Sequence, residues 1–242
     1  MVDLHTHILP GVDDGAETLE DALEMLTTAY KNGTTDIVLT PHYLTCDMRS
    51  FGFSKPRLTA IFNEFKSIVA DKLPEINLYL GAETFAAANI SDYIERDLLI
   101  PIGNSKYVLT EFGFDDTAGR ALEITKTIMQ AGYTVVVAHP ERYPFFLYDP
   151  ANLLPFLDEG VLLQLNAASI LGQNGNYSKE MALSLIDSGL AALVASDCHS
   201  VSWRAPDLSE AYSYVSSEYS PEHAEALFCD NPLAVIKNGI IV

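Results

Sequence analysis

The chain has 242 residues, of which 48% are hydrophobic, and a formal net charge of −19. This length and composition can supply a sizeable core. Because no linker, charge block or low-complexity tract divides the sequence, we expect one domain over residues 1–242. The negative charge argues against nucleic acid or an anionic membrane as the main partner, because phosphate groups are bound by surfaces rich in Lys and Arg.

The sequence also indicates a compartment. It starts directly with a predicted strand and carries neither a basic leader nor an apolar run of roughly 18 residues, so we expect no direct membrane insertion. Cys46, Cys198 and Cys229 lack the spacing of a disulfide framework. Reduced thiols without a framework are typical of the cytoplasm, where we expect this protein.

The first predicted element is a short apolar strand that ends in two histidines, His5 and His7. In an extended segment, residues i and i+2 project to the same face, so both imidazoles can point at one ion. The loop that follows is rich in turn residues and carries two adjacent acids, Asp13 and Asp14. This stretch predicts the beginning of a metal site.

The rest of the chain alternates between strands and helices. Thr18 is predicted to cap the first helix, and six further strands are predicted over residues 36–40, 76–80, 106–110, 134–138, 161–165 and 190–195. Helical spacing recurs over residues 56–69, 91–98, 121–130, 150–158 and 179–187 and in the tail from Leu208 onward. Seven strands alternating with helices predict parallel βαβ crossovers and a closed or nearly closed α/β barrel.

Polar side chains follow nearly every predicted strand. They are His5 and His7, His42, Glu83, Glu111, His139, Asn166, and Asp197 with His199. Because barrels of this kind place their chemistry at the C-terminal ends of the strands, these residues predict a metal site at one mouth. Imidazole and carboxylate ligands suit Zn, Mn or Fe, and so many donors predict two or three ions.

The predicted ions would also change the local charge. The carboxylates of Asp14, Glu83, Glu111 and Asp197 contribute about −4, whereas three divalent ions would contribute about +6. Such a cationic mouth favours a substrate that carries phosphate, which a metal-activated water could attack. Arg142 and Arg204 follow His139 and His199 on the same loops, and their guanidinium groups could hold phosphate oxygens.

Aromatic residues also gather after the predicted strands, namely Tyr43, Phe51, Phe53, Tyr143, Phe145, Phe146 and Trp203. Each of them can be explained by loop packing. Together they could instead form an apolar rim for an aromatic substrate such as a phosphotyrosyl side chain.

Several motifs in order resemble the PHP (polymerase and histidinol phosphatase) superfamily. HILPGVDDGA, TPHY, AHPERY and SDCHS with Arg204-Ala-Pro are most similar to the bacterial PHP-type protein-tyrosine phosphatases of capsule and exopolysaccharide operons. The resemblance extends over essentially the whole chain. It implies a distorted (β/α)7 TIM-like barrel of the PHP fold and three divalent ions, usually manganese, with iron or zinc as alternatives. The implied reaction is hydrolysis of phosphotyrosine on the tail of a tyrosine autokinase.

The resemblance also implies roles for particular residues. One ion would be bound by His5, His7, Glu83 and Asp197, the second by Glu83, Glu111 and His139, and the third by Asp14, His42 and His199. Arg142 and Arg204 would contact phosphate, and with Asp197 and His199 they form the predicted catalytic set. Asp13 is an alternative to Asp14 as a ligand, and Cys198 stands where the family pattern predicts a small residue.

The sequence is also compatible with other functions. Cys198 and Arg204 have the Cys-x5-Arg spacing of cysteine-dependent tyrosine phosphatases, but the segment between them lacks the glycines that would let its backbone wrap a phosphate. The same site could instead hydrolyse a small phosphate ester such as histidinol phosphate or a nucleotide. A non-catalytic PHP module that binds metal or a partner is a further alternative. The sequence is compatible with an oligomer as well as with a monomer.

Overall fold

The structure is a computed structural model that describes residues 1–44 and 53–241. Its strands are β1 (Val2–Thr6), β2 (Asp36–Leu39), β3 (His42–Tyr43), β4 (Asn77–Leu80), β5 (Glu83–Phe85), β6 (Tyr107–Glu111), β7 (Thr134–Ala138), β8 (Leu162–Asn166) and β9 (Ala191–Ala195). Its helices are α1 (Leu19–Lys31), α2 (Lys55–Lys72), α3 (Ile90–Glu95), α4 (Ala118–Gln130), α5 (Pro144–Leu147), α6 (Leu154–Asp158), α7 (Ala167–Ile170), α8 (Asn176–Asp187), α9 (Ser209–Glu218), α10 (Pro221–Glu225) and α11 (Asn231–Ile236).

The nine strands of the described residues form a parallel barrel with seven strand positions around its wall. Two sheets, β1-β2-β4 and β3-β5-β6-β7-β8-β9, are joined because β3 continues β2 and β5 continues β4 after short breaks. The barrel closes between β9 and β1, where the N–H of Asp197 donates to the His5 carbonyl at 2.9 Å and the N–H of His7 donates to the Cys198 carbonyl at 3.0 Å. The predicted (β/α)7 barrel is therefore confirmed.

The predicted elements agree closely with the observed ones. All seven predicted strands are present with ends shifted by no more than one residue. Thr18 caps α1 through a reciprocal capping box with Asp21, which explains why the helix begins there. The breaks that create β3 and β5 and the short helices α5 and α7 have no clear sequence signal.

Alternation along the strands explains how the mouth acquires its polar residues. The interior of the barrel is filled by small and branched side chains such as Val38, Leu109, Val136 and Leu193. Inward-facing positions recur every second residue, so those near the C-terminal ends of the strands, such as Glu111, reach the mouth. At the opposite end α11 closes the barrel against the start of β1. Among the described residues, no helix has the length and apolar character needed to cross a membrane.

Candidate metal centre

His5 and His7 project to the same side at the end of β1. Their Nε2 atoms lie 3.2 Å apart, and both side chains are fully buried. Nδ1 of His5 lies 2.8 Å from Gln164 Oε1, and Nδ1 of His7 lies 2.7 Å from Asp13 Oδ2. Because each Nδ1–H is donated to an oxygen, each Nε2 keeps its lone pair for another partner. Two lone pairs at this distance repel unless a cation or a proton lies between them, so the pair fits a metal site.

The turn that contains Asp13 and Asp14 packs tightly against the end of β1. A Cβ at Gly15 would lie 1.8 Å from the His7 carbonyl oxygen, so only glycine permits this approach. Asp13 points inward and also accepts from the N–H groups of Gly15 at 3.0 Å and His42 at 3.1 Å. The side chain of Asp14 points outward and is 66% exposed. The two acids therefore differ in position: Asp13 orients His7, whereas Asp14 is free to act as a ligand.

Glu83, the first residue of β5, lies at the centre of the mouth. Its Oε1 is 3.3 Å from His5 Nε2 and 3.0 Å from His139 Nε2, and its Oε2 is 3.4 Å from His7 Nε2 and 2.8 Å from His42 Nδ1. Although Oε2 and Nδ1 of His42 are this close, neither has a hydrogen-bond partner among the described residues. Imidazole and carboxylate atoms that converge in this way, two of them without a hydrogen-bond partner among the described residues, fit a site that holds a cation.

The charge on Glu83 depends on these neighbours. Burial raises the pKa of its carboxyl, but His5 and His42 outweigh burial and lower this pKa well below its usual range. Glu83 is therefore ionised, which is the form in which a carboxylate would bind a cation.

A second, outer cluster faces Asp14. Nε2 of His42 and Nε2 of His199 each lie 3.4 Å from Asp14 Oδ1. Nδ1 of His199 lies 3.0 Å from the carbonyl oxygen of Asp197, which again leaves Nε2 of the imidazole directed at the site. His42 presents Nδ1 to Glu83 and Nε2 to Asp14, so it connects the two clusters.

Within residues 1–44 and 53–241, the donor atoms of the mouth form three overlapping sets, each with its atoms within 4.8 Å of one another. These sets are His5, His7 and Glu83; His42, Glu83 and Glu111; and His7, Asp14, His42 and His199. His139 and Asp197 lie beside these sets, in contact with Glu83 and His5 respectively. The structure thus brings all nine predicted ligands to one mouth.

Asp197 connects the donor atoms to the two arginines. Its Oδ1 lies 3.4 Å from Nε2 of both His5 and His7. Its Oδ2 accepts hydrogen bonds from Arg142 Nη1 at 3.3 Å and from Arg204 Nη2. Both guanidinium groups therefore reach one oxygen, an arrangement that can also hold one phosphate group.

Three residues of the mouth have left-handed backbone conformations that non-glycine residues seldom adopt. They are His139 with φ of 35°, Asp197 with φ of 53° and Arg204 with φ of 53°. Such strain costs on the order of 1–3 kcal/mol per residue and is concentrated at functional sites, where surrounding contacts maintain it. The strain at these three positions supports a functional role for this mouth.

Two buried amides lie behind the ligands: Asn166, which was among the polar residues predicted at the mouth, and Gln164, which was not. Gln164 holds His5 and donates to Asn166 Oδ1 at 3.0 Å, and Asn166 donates to Asp197 Oδ2 at 2.7 Å. Gln164 stands between two leucines in a strand that is otherwise apolar, which is a usable sequence signal for an inward-facing polar residue. These two amides connect one side of the site to the other.

The predicted aromatic rim is only partly present. Tyr43, Tyr143 and Phe146 are buried and serve as packing, and Phe51 lies outside the described residues. Trp203 is 66% exposed beside the site. Phe114, which was not among the predicted rim residues, is also exposed, at 47%.

Cys198 does not fit the cysteine-dependent alternative. Its side chain is fully buried, and burial raises the pKa of the thiol to about 12. A thiol with this pKa is protonated near neutral pH, and the protonated form is a poor nucleophile. The Cys-x5-Arg spacing therefore does not indicate a cysteine-dependent phosphatase.

The parallel barrel and the imidazole and carboxylate donors at its C-terminal mouth define a PHP-type barrel. Residues 1–237 match the family model described as capsular polysaccharide synthesis, CpsB/CapC. The chain belongs to this CpsB/CapC family, which confirms the resemblance seen in its motifs.

Relatives within the family are similar over most or all of their length. CapC of Staphylococcus aureus is 34% identical over 204 residues, which cover 84% of this chain and 79% of CapC. The tyrosine-protein phosphatase YwqE of Bacillus subtilis is 29% identical over 241 residues, which cover 100% of this chain and 93% of YwqE. The chain also superposes, with a TM-score of 0.92, on a solved structure from a set described as YwqE of Bacillus subtilis and CpsB of Streptococcus pneumoniae, unique metal-dependent tyrosine phosphatases. Its sequence identity is 27%, and the match covers 100% of this chain and 96% of the other.

Proposed function

We propose that this chain is a metal-dependent protein-tyrosine phosphatase that hydrolyses the phosphate monoester of tyrosine. One observation carries the proposal: nine imidazole and carboxylate side chains converge at one mouth beside two arginines that reach a common oxygen. Membership of a family whose curated members are called tyrosine-protein phosphatases supports the choice of substrate.

We propose that three divalent ions occupy this mouth, with manganese as the first choice and iron or zinc as alternatives. The inner ion would be held by His5, His7, Glu83 and Asp197, the second by Glu83, Glu111 and His139, and the outer ion by Asp14, His42 and His199. The close approach of His42 Nδ1 to Glu83 and Glu111, at 2.8 and 3.6 Å, suggests that His42 also serves the second ion.

The chain contributes binding and orientation to the reaction. Bound divalent ions would supply an activated water and neutralise the charge that develops on phosphate. Arg142 and Arg204 would exchange their shared carboxylate oxygen on Asp197 for phosphate oxygens, and Asp197 and His199 would complete the catalytic set beside them. The leaving phenol has a pKa of about 10, so it departs more readily than an aliphatic alkoxide would.

We propose that the physiological substrate is the phosphotyrosine-bearing tail of a tyrosine autokinase, encountered in the cytoplasm. The link between the family and capsular polysaccharide synthesis supports this partner. A flexible tail would suit the geometry, because Asp14 and Trp203 leave the outer side of the mouth open to solvent.

The proposal is tested by removing and restoring the ions. The purified protein is treated with a chelator and dialysed, and phosphate release from a phosphotyrosine peptide and from histidinol phosphate is measured before and after addition of Mn²⁺. We expect activity on the peptide to be lost on chelation and regained with Mn²⁺, and histidinol phosphate to be the poorer substrate. Full activity without ions, or a preference for histidinol phosphate, would contradict the proposal.

A further inference from the structure

Two exposed aromatic side chains flank the arginines of the mouth. The Arg142 guanidinium lies 5.4 Å from the centre of the Phe114 ring, and the Arg204 guanidinium lies 5.3 Å from that of Trp203. Phe114 is 47% exposed and Trp203 is 66% exposed. Each arginine that reaches Asp197 thus has an aromatic surface beside it that is open to solvent.

The loop after β6 fixes the position of Phe114. Phe112 is buried, and its N–H donates to the hydroxyl of Tyr143 at 3.1 Å. The N–H of Gly113 donates to Asp116 Oδ2 at 2.9 Å, and the Phe114 ring lies against Tyr143 with the ring centres 5.7 Å apart. These contacts of the loop therefore fix the Phe114 ring in an exposed position.

The loop after β9 fixes Trp203 in a similar way. The N–H of Trp203 donates to Ser200 Oγ at 2.9 Å, and that hydroxyl donates to the Trp203 carbonyl at 2.9 Å. The N–H of His199 donates to the Arg204 carbonyl at 3.0 Å, which closes the loop. The indole ring meets His199 edge-on at 6.1 Å and borders a cleft of about 330 Å³ that also includes Asp14.

We propose that Phe114 and Trp203 are specificity-determining residues that bind the aromatic ring of the substrate and disfavour aliphatic phosphate esters. The inference rests on the proposed phosphatase function. A phosphate held by Arg142 and Arg204 would have buried ligands on its inner side, so its ester oxygen would point outward, toward the solvent-exposed rings beside the two arginines. A phenyl ring there stacks against an aromatic wall, whereas a serine side chain ends before reaching it.

The same rings also lie against the arginines, so a purely positional role must be separated from substrate selection. If the rings only hold the guanidinium groups, their removal weakens phosphate binding for every ester alike. If the rings contact the substrate, their removal affects phosphotyrosine far more than phosphoserine. The ratio of the two substrates therefore distinguishes the roles.

The first experiment compares Phe114→Ala, Trp203→Ala and Trp203→Phe in the Mn²⁺-loaded full chain. Activity is measured on two peptides that differ only in phosphotyrosine or phosphoserine. We expect each alanine variant to lower kcat/KM for phosphotyrosine roughly threefold to tenfold more than for phosphoserine, a range set by the strength of aromatic pairs. Trp203→Phe should restore most of the preference. Equal losses on both peptides would overturn the inference.

Tyr30→Ala serves as the matched control. Tyr30 is 40% exposed, similar to Phe114, but it lies at the end of α1 that faces away from the mouth. We expect this variant to keep both the activity and the substrate preference of the parent. A change in preference as large as that of Phe114→Ala would overturn the inference, because it would show that the effect does not depend on position.

A second readout needs no turnover. Trp203 is the only tryptophan of the chain, so selectively excited tryptophan fluorescence reports this position alone. We expect a non-hydrolysable phosphonate analogue of phosphotyrosine to change the emission, and the matching analogue of phosphoserine to bind with little change. Equal responses would overturn the inference. An enzyme that turns over neither peptide would instead refute the proposed phosphatase function, while binding of the aromatic analogue with an emission change would still support the ring contact.

Discussion

The inner and outer parts of the metal centre are built differently. In the inner part, His5 and His7 are fully buried, and each has its Nδ1 held by a further buried side chain. In the outer part, His199 is also held through its Nδ1, by the Asp197 carbonyl. Asp14, however, is largely exposed, and His42 is half-buried with an Nδ1 that has no hydrogen-bond partner among the described residues. We infer that His5 and His7 are oriented before any ion binds, whereas Asp14 and His42 would depend on an ion for their final geometry. We therefore expect the inner ion to bind more tightly.

The largest effect is expected at Glu83, which the inner and second ions would share. Glu83→Gln removes the central carboxylate charge and directs an amide at several imidazoles, so both inner and second ions should be lost. We expect the activity on phosphotyrosine peptide to fall more than about hundredfold, beyond the usual effect of changing an orienting residue. Circular dichroism provides the control for folding, and ion content is measured by elemental analysis. A folded variant with parental ion content would contradict the shared role.

The next effect tests whether the inner part is oriented in advance. Asp13→Asn keeps an oxygen near His7 but removes the charge, so we expect inner-ion affinity to fall roughly tenfold to hundredfold. Titration of the metal-free protein with Mn²⁺ by calorimetry measures this affinity. Asp14→Asn is the matched comparison, because the adjacent residue faces the outer part. Asp14→Asn should lower the affinity for the outer ion and leave the affinity for the inner ion nearly unchanged. The reverse pattern would contradict the assignment of the two acids.

A smaller effect is expected on the pH dependence of stability in the metal-free protein, through His42 of the outer part. Burial lowers the pKa of His42, but Glu83 and Glu111 outweigh it and raise this pKa from 6.5 to about 9. Since the pKa is higher in the folded state, the protonated imidazole stabilises the fold below about pH 6.5 and this contribution is lost as the pH rises through about 9. Urea unfolding of the metal-free protein should show the free energy of unfolding falling across this range. Because bound ions keep His42 deprotonated, the loaded protein should show a much smaller fall, and identical profiles would argue against His42 as a ligand.

The smallest effect is expected at Cys198. Its thiol is buried with a raised pKa and packs beside the site without reaching the donor atoms, so Cys198→Ser should leave kcat/KM for phosphotyrosine peptide within about threefold. Steady-state kinetics on the Mn²⁺-loaded variant measures this. A loss of several orders of magnitude would mean that the thiolate attacks phosphorus.

Much of the barrel and its mouth could be predicted because the same local rule acts on every strand. Each strand is a short apolar run, and the polar residue after it marks the C-terminal end, so the positions of His139 and Asp197 follow from the pattern. The resemblance to a known family then assigned ligands to ions. That assignment stays a prediction, but the structure brings all its members together.

The parts that could not be predicted depend on contacts between distant segments. Gln164 has a role only because β8 faces the end of β1, where its Oε1 meets His5 Nδ1. Asn166 was predicted at the mouth, but its bond to Asp197 depends on β8 lying beside β9. The separation of Asp13 from Asp14 depends on the close approach of Gly15 to His7. Phe114 has no distinctive sequence signal, because exposure is decided by how its loop packs on Tyr143.

The most direct measurement is anomalous X-ray diffraction from crystals of the Mn²⁺-loaded protein. We expect three anomalous peaks at one mouth of the barrel, the strongest among His5, His7, Glu83 and Asp197, and the weakest among Asp14, His42 and His199. The absence of any peak near Glu83 under saturating Mn²⁺, or peaks only at surface carboxylates, would contradict the claim that these side chains assemble a metal centre.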